Sequence, residues 1–227
     1  MATLSRDLSP PPRPARTRYT RVAIALHWAI AALIAYNLIS GLLGEFLPRW
    51  FFAFHISSGL TILALTLVRI GWRLTHRPPP MLPMKASERW LAHGVHLLLY
   101  AAMLFVPWTG WVMISANPPP GSPGAAYALQ QRAAKAAAAG EPAPTPRPAP
   151  KLWGVATVPM IGPVAALGRE PAGVPGQRAF HEQMEGIHGR LGWVLLLLLA
   201  LHITGALKHE WFDGQPELRR MGLPGRR

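Results

Sequence analysis

Cysteine is missing altogether from this 227-residue chain. Its absence rules out disulfides, thiolate zinc sites, iron–sulfur clusters and haem attached through cysteine. Any metal must rest on histidine, methionine or carboxylate. Acidic residues are scarce as well: ten Asp and Glu stand against 23 Lys and Arg, for a formal net charge of +13. A nucleic-acid binder would gather that excess on one face of a soluble domain. Here it sits in the gaps between apolar runs, so nucleic acid is not an expected partner. Charge of either sign is thin, at 15% of residues where soluble domains carry about 25%. Half of the chain is hydrophobic, and little length remains for a large soluble domain.

What is present is four long apolar runs. The first is Val22–Leu43, VAIALHWAIAALIAYNLISGLL, which as a helix reaches roughly 33 Å, enough to cross a bilayer core. A cleaved leader would have a shorter apolar stretch and a small-residue cleavage site, so this run is read as a retained helix. The others are Phe51–Trp72, Leu91–Ile114 and Gly186–Leu207, with Pro107 expected to kink the third. Tryptophans flank the runs, as at membrane interfaces. The fold class expected is all-α, a four-helix transmembrane bundle surrounded by lipid.

The segments divide accordingly. Residues 1–21 read as a disordered basic tail, 22–114 as helices one to three, 115–185 as a long outer loop, 186–207 as helix four and 208–227 as a second basic tail. Residues 118–150 are Pro/Ala-rich and expected to be disordered, with a short helix over Ala125–Ala139. Residues 151–167 are more apolar and are expected to fold back over the outer helix ends. Lys and Arg crowd the two tails and the Arg69–Arg89 segment, whereas the loop between runs one and two holds only Arg49. The positive-inside rule then places both termini in the cytosol of a bacterium, with the bundle in its inner membrane.

Six of the nine histidines lie inside apolar runs: His27, His55, His93, His96, His188 and His202. Ionisable groups at that depth are expensive and point to function. His188 and His202 are fourteen residues apart, so they share a helix face to within about 40° and stand roughly 21 Å apart along the axis. They cannot share one metal, but each can serve one haem of a stacked pair. Matching depths pairs His27 with His202 for an inner haem and His55 with His188 for an outer haem. Bis-histidine ligation leaves no open position on iron, which suits electron transfer.

Other candidates carry two readings each. Gly59, Gly192 and Gly205 leave room beside the porphyrins, or are small residues at helix contacts. Arg69 pairs with haem propionates, or is an interfacial arginine reaching for water. His93 and His96, with Lys208 and His209 at the same level, line a quinone site or bond within the bundle.

On these residues the chain resembles the prokaryotic cytochrome b561 family, which includes superoxide:ubiquinone oxidoreductases, and the b-type cytochrome subunits of nickel–iron hydrogenases. The resemblance is carried by RYTRVAIALHW around His27, FHISSGLTILALTLVRIGWRL around His55 and LAHGVHLLLYAAMLFVPWTGW on helix three. It continues in WGVATVPMIGP, in IHGRLGWVLLLLLALHITGALKHEWFDG on helix four and in LRRMGLPGR in the tail. It implies two non-covalent b haems on His27, His55, His188 and His202, and exchange of electrons with ubiquinone. It further implies either oxidation of superoxide at the outer face or service as the electron-transfer subunit of a partner redox protein, a dehydrogenase or hydrogenase. The long outer loop departs from the shortest members.

Overall fold

In a computed structural model, residues 18–146 and 148–224 are described. The disordered tail expected for the first residues falls largely on positions 1–17, which lie outside the described residues, as do Arg147 and positions 225–227.

Among the described residues, four helices are long and apolar enough to cross a membrane. They lie in α1 (Arg21–Leu42), α2 (Arg49–Thr75), α3 (Ala86–Ser115) and α6 (Val174–Trp211). Thr20 starts α1, its hydroxyl accepting from the Ala23 N–H at 3.2 Å, a cap worth about 1 kcal/mol. Pro107 sits inside α3, which nevertheless continues to Ser115. Neighbouring hydroxyls and waters commonly make good the backbone bonds a membrane proline removes.

α3 packs chiefly on α6, α1 on α2, and α2 on α3. The core between them is aliphatic: Ile30, Ile34, Ile62, Val95, Leu99, Met103, Leu195 and Leu198. Polar fastenings add to it. Asn37 of α1 donates to the Ser58 hydroxyl of α2 at 2.6 Å, and Tyr36 donates to the Phe51 carbonyl at 2.8 Å.

α6 runs for 38 residues, about 57 Å, well beyond a hydrocarbon core of about 30 Å. Its first turns therefore stand outside the span. Beside them the α3–α6 connection is folded. α4 (Pro123–Ala138) is built from an alanine run, capped by the Ser122 hydroxyl and started by Pro123. A two-stranded hairpin, β1 (Lys151–Leu152) with β2 (Ala156–Thr157), and a short α5 (Gly162–Ala166) follow. The Trp111 indole donates to the Pro159 carbonyl at 2.7 Å, and the Ile161 N–H donates to the buried Ser115 hydroxyl at 3.1 Å. This is the loop side of the bundle.

The opposite, termini side is also tied together. The Trp28 indole donates to the Met221 carbonyl at 2.9 Å, and the Trp72 indole to the Thr20 hydroxyl at 3.0 Å. After α6 the chain turns back through α7 (Glu217–Arg220). Buried Glu210 accepts from the Leu218 N–H at 3.0 Å, and buried Arg220 donates to the Pro80 carbonyl.

Candidate functional site

Two pairs of imidazoles meet across the bundle, one at each end. On the loop side, His55 of α2 faces His188 of α6 with ring centroids 6.2 Å apart and planes at 73°. On the termini side, His27 of α1 faces His202 of α6, again at 6.2 Å, with planes at 65°. Two imidazoles on one metal, each about 2 Å from it, with each centroid roughly 1 Å behind its nitrogen, give a centroid separation near 6 Å. Both pairs meet that test. His96 of α3 lies closer to His202, at 5.0 Å, too near for a shared metal to sit between the two rings. His27 is therefore the better opposite number.

The loop-side pair also has its tautomers set. Ser40 gives its hydroxyl hydrogen to the Tyr36 carbonyl at 2.8 Å, so its oxygen accepts from His55 Nδ1 at 2.9 Å. Thr109 donates to the Val106 carbonyl at 2.8 Å, and both that hydroxyl and that carbonyl lie 3.1 Å from His188 Nδ1. With Nδ1 carrying the proton, each Nε2 keeps its lone pair for a metal. Histidine ligands are usually held this way.

Glycines then make room for those rings. A Cβ at Gly41 would stand 3.2 Å from His55 Cε1, and one at Gly110 would stand 3.1 Å from His188 Cε1. Each follows directly on the residue whose hydroxyl holds the ring, giving Ser40–Gly41 on α1 and Thr109–Gly110 on α3.

A profile of the prokaryotic cytochrome b561 family matches residues 18–223. The chain belongs to that family. That family is one of b-type cytochromes, and the four apolar helices suit a membrane cytochrome. Cytochrome b562 of Cereibacter sphaeroides is 37% identical over 105 residues, 40% of this chain and 63% of that protein. A probable superoxide oxidase, CybB, of Yersinia pestis is 31% identical over 98 residues, 41% of this chain and 56% of the relative. Cytochrome b561 homolog 2 of Escherichia coli is 24% identical over 214 residues, 90% of each chain. The chain thus spans less than two thirds of the first two relatives, and nearly the whole of the third.

The other site candidates fall in distinct places. The Arg69 guanidinium donates through Nε to the Tyr100 hydroxyl at 3.0 Å and lies over its ring, as does that of Arg73. A Cβ at Gly59 would make ordinary contact with Asn37 of α1 at 3.6 Å, whereas at Gly192 and Gly205 it would meet nothing within 4 Å. His96 donates Nδ1–H to the Ala92 carbonyl at 2.6 Å, leaving Nε2 as an acceptor, and His93 bonds the Arg89 carbonyl likewise. His209 reaches the Asp213 carboxylate at 2.6 Å.

Glu88, His209 and Asp213 bring three ligand atoms within 4.8 Å of one another. The Lys208 ammonium already fills the role of a cation there, 2.6 Å from Glu88 and 2.8 Å from Asp213. Lys208 first, and then His209, holds the Asp213 carboxyl below the usual carboxylate range, so Asp213 is charged at neutral pH.

The residues that sequence reasoning missed are Ser40, Gly41, Thr109 and Gly110. The signal was a hydroxyl–glycine doublet, thirteen residues after His27 on α1 and thirteen after His96 on α3.

Proposed function

We propose that the chain holds two b haems, one between His27 and His202 and one between His55 and His188, and carries electrons across the membrane to ubiquinone. The observation that supports this most directly is the pair of 6.2 Å imidazole separations, one at each end of α6. When bound, haem would supply one-electron chemistry, and His27 with His202 and His55 with His188 would hold it. The protein supplies the rest. Ser40, Thr109 and the Val106 carbonyl fix the loop-side rings. The α6 backbone sets the two levels about 21 Å apart.

The donor binds on the loop side, and superoxide is the donor favoured. The termini face the cytosol of a bacterial inner membrane, a reading supported by the distribution of Lys and Arg. Ubiquinone is taken up on that termini side, where His96 presents a free Nε2 beside the His202 ring. Lys208 and His209 stand at the same end with an acidic partner, Asp213, and can relay the protons that quinone reduction needs. Arg69, at the depth of His202, can meet haem propionates while keeping its Tyr100 contact.

A second reading has support in the cap formed by α4, the hairpin and α5. Such a cap can receive a docked redox protein as well as admit a small anion. Stopped-flow decay of superoxide over vesicles holding the purified protein separates the two. The expected result is superoxide loss that accelerates when ubiquinone is present. Superoxide decay at the spontaneous rate, with quinone still reduced by an artificial loop-side donor, transfers the role to a partner protein.

A further inference from the structure

Helix α2 has a stripe that points away from His55. Trp50, Phe54, Ser57 and Thr61 are spaced i, i+4, i+7 and i+11, and 100° per residue puts all four roughly 200–260° around the helix from His55. Farther along α2, the stripe and its flank expose Ala64, Val68 and Leu67, with Leu67 and Val68 at 58% and 56%. In a spanning helix that side meets lipid. Ser57 lies on it yet is 1% exposed.

What covers Ser57 is the β1–β2 hairpin. The Ser57 hydroxyl accepts from the Trp153 N–H at 2.8 Å and lies 3.4 Å from the Lys151 carbonyl. The Trp153 indole N–H donates to the Thr61 hydroxyl at 3.1 Å, and its ring lies 5.8 Å from that of Phe54. Thr61 is six residues past His55, about 9 Å along the axis. The hairpin is therefore drawn down the outer flank of α2 rather than standing above the helix ends.

Its turn is tight. Trp153 and Gly154 both have positive φ, 50° and 76°, and the Val155 N–H closes the turn on the Leu152 carbonyl at 3.0 Å. Much of the hairpin's polar backbone is thus paired within itself and to Ser57, and its tip side chains are exposed apart from the Trp153 contacts with α2. Val155 is 87% exposed and Trp153 44%, next to Trp50 at 58%.

The geometry points to a lipid-interface anchor: the tip Trp153–Gly154–Val155 inserts into the loop-side leaflet beside α2. The lipid-facing side of α2 continues directly into the hairpin. An indole with one wet and one apolar edge suits the headgroup boundary.

Because the chain has no cysteine, single labels need no background removal. Val155→Cys carrying an environment-sensitive fluorophore is placed in vesicles of nitroxide-labelled phosphatidylcholine, as the haem-loaded full chain. The expected result is loss of emission with nitroxide near the top of the acyl chain, and protection from aqueous iodide. Ala137→Cys on exposed α4 should show the opposite pattern. Leu67→Cys reports on the membrane span itself. Lipid quenching at Leu67→Cys with iodide quenching at Val155→Cys overturns the anchor alone. Failure of lipid quenching at Leu67→Cys overturns the spanning assignment of α2, and the anchor with it.

Discussion

Replacing His202 with alanine is expected to remove one haem and leave the other. His202 faces His27 at a separation that suits a shared metal, and the loop-side pair lies fourteen residues away on α6. At roughly 21 Å the two levels are too far apart for one change to disturb both rings directly. Pigment per chain should fall by roughly half, because a b haem has no covalent tether and its retention rests on its axial ligands and pocket. Electron delivery to quinone should fall by at least about tenfold, the lower limit of what even outer-shell changes cause at metal sites. Pyridine haemochrome content and quinone reduction read the two effects. His55→Ala should lose the same amount of pigment from the other end. Unchanged content in His202→Ala would remove His202 from the ligand set.

Gly110→Val is expected to do comparable damage without touching a ligand. Even a Cβ would stand 3.1 Å from His188 Cε1 and 3.5 Å from Nδ1, and valine adds two methyls. Either the imidazole turns off Thr109 and the Val106 carbonyl, or α3 and α6 move apart along their main packing surface. Overpacking of this kind costs about 1–3 kcal/mol in stability. The larger consequence is the lost orientation of His188. Low-spin bis-histidine resonance should vanish for the loop-side haem and persist for the termini-side haem. Gly94→Val is the control, since a Cβ at Gly94 meets nothing within 4 Å and both signals should survive. Two intact low-spin signals in Gly110→Val would mean that the ring does not need that space.

The contrast between these two variants marks what was legible in the sequence. His202 could be read directly, because histidine in an apolar run is conspicuous and helical spacing converts position into depth. The four spans followed from hydrophobic length in the same way. Gly110 could not be read, since its neighbour His188 belongs to another helix, 78 positions away. Which face of α3 meets which face of α6 is a matter of packing, and a single glycine in an apolar run has several common explanations. Ser40 and Thr109 were hidden for the same reason: they hold rings on other helices.

The connection between α3 and α6 was legible only in part. Proline and alanine over 118–150 suggest disorder on either side of the short helix expected over Ala125–Ala139, and that helix is present as α4, started by Ser122 and Pro123 and sustained by the alanine run. The early turns of α6 were missed because Gln177, His181 and Glu182 break the apolar pattern that marks a span. Basic composition likewise made 208–227 look like a solvated tail. Glu210 and Arg220 are in fact buried, and they fasten that segment to Leu218 and Pro80.

The central claim is that α6 presents one axial imidazole at each end, to two separate haems. Quantifying haem against protein in the purified, fully loaded chain tests it most directly. The expected result is two haems per polypeptide, both low-spin and both b-type. A single haem at saturation, or none, would contradict it.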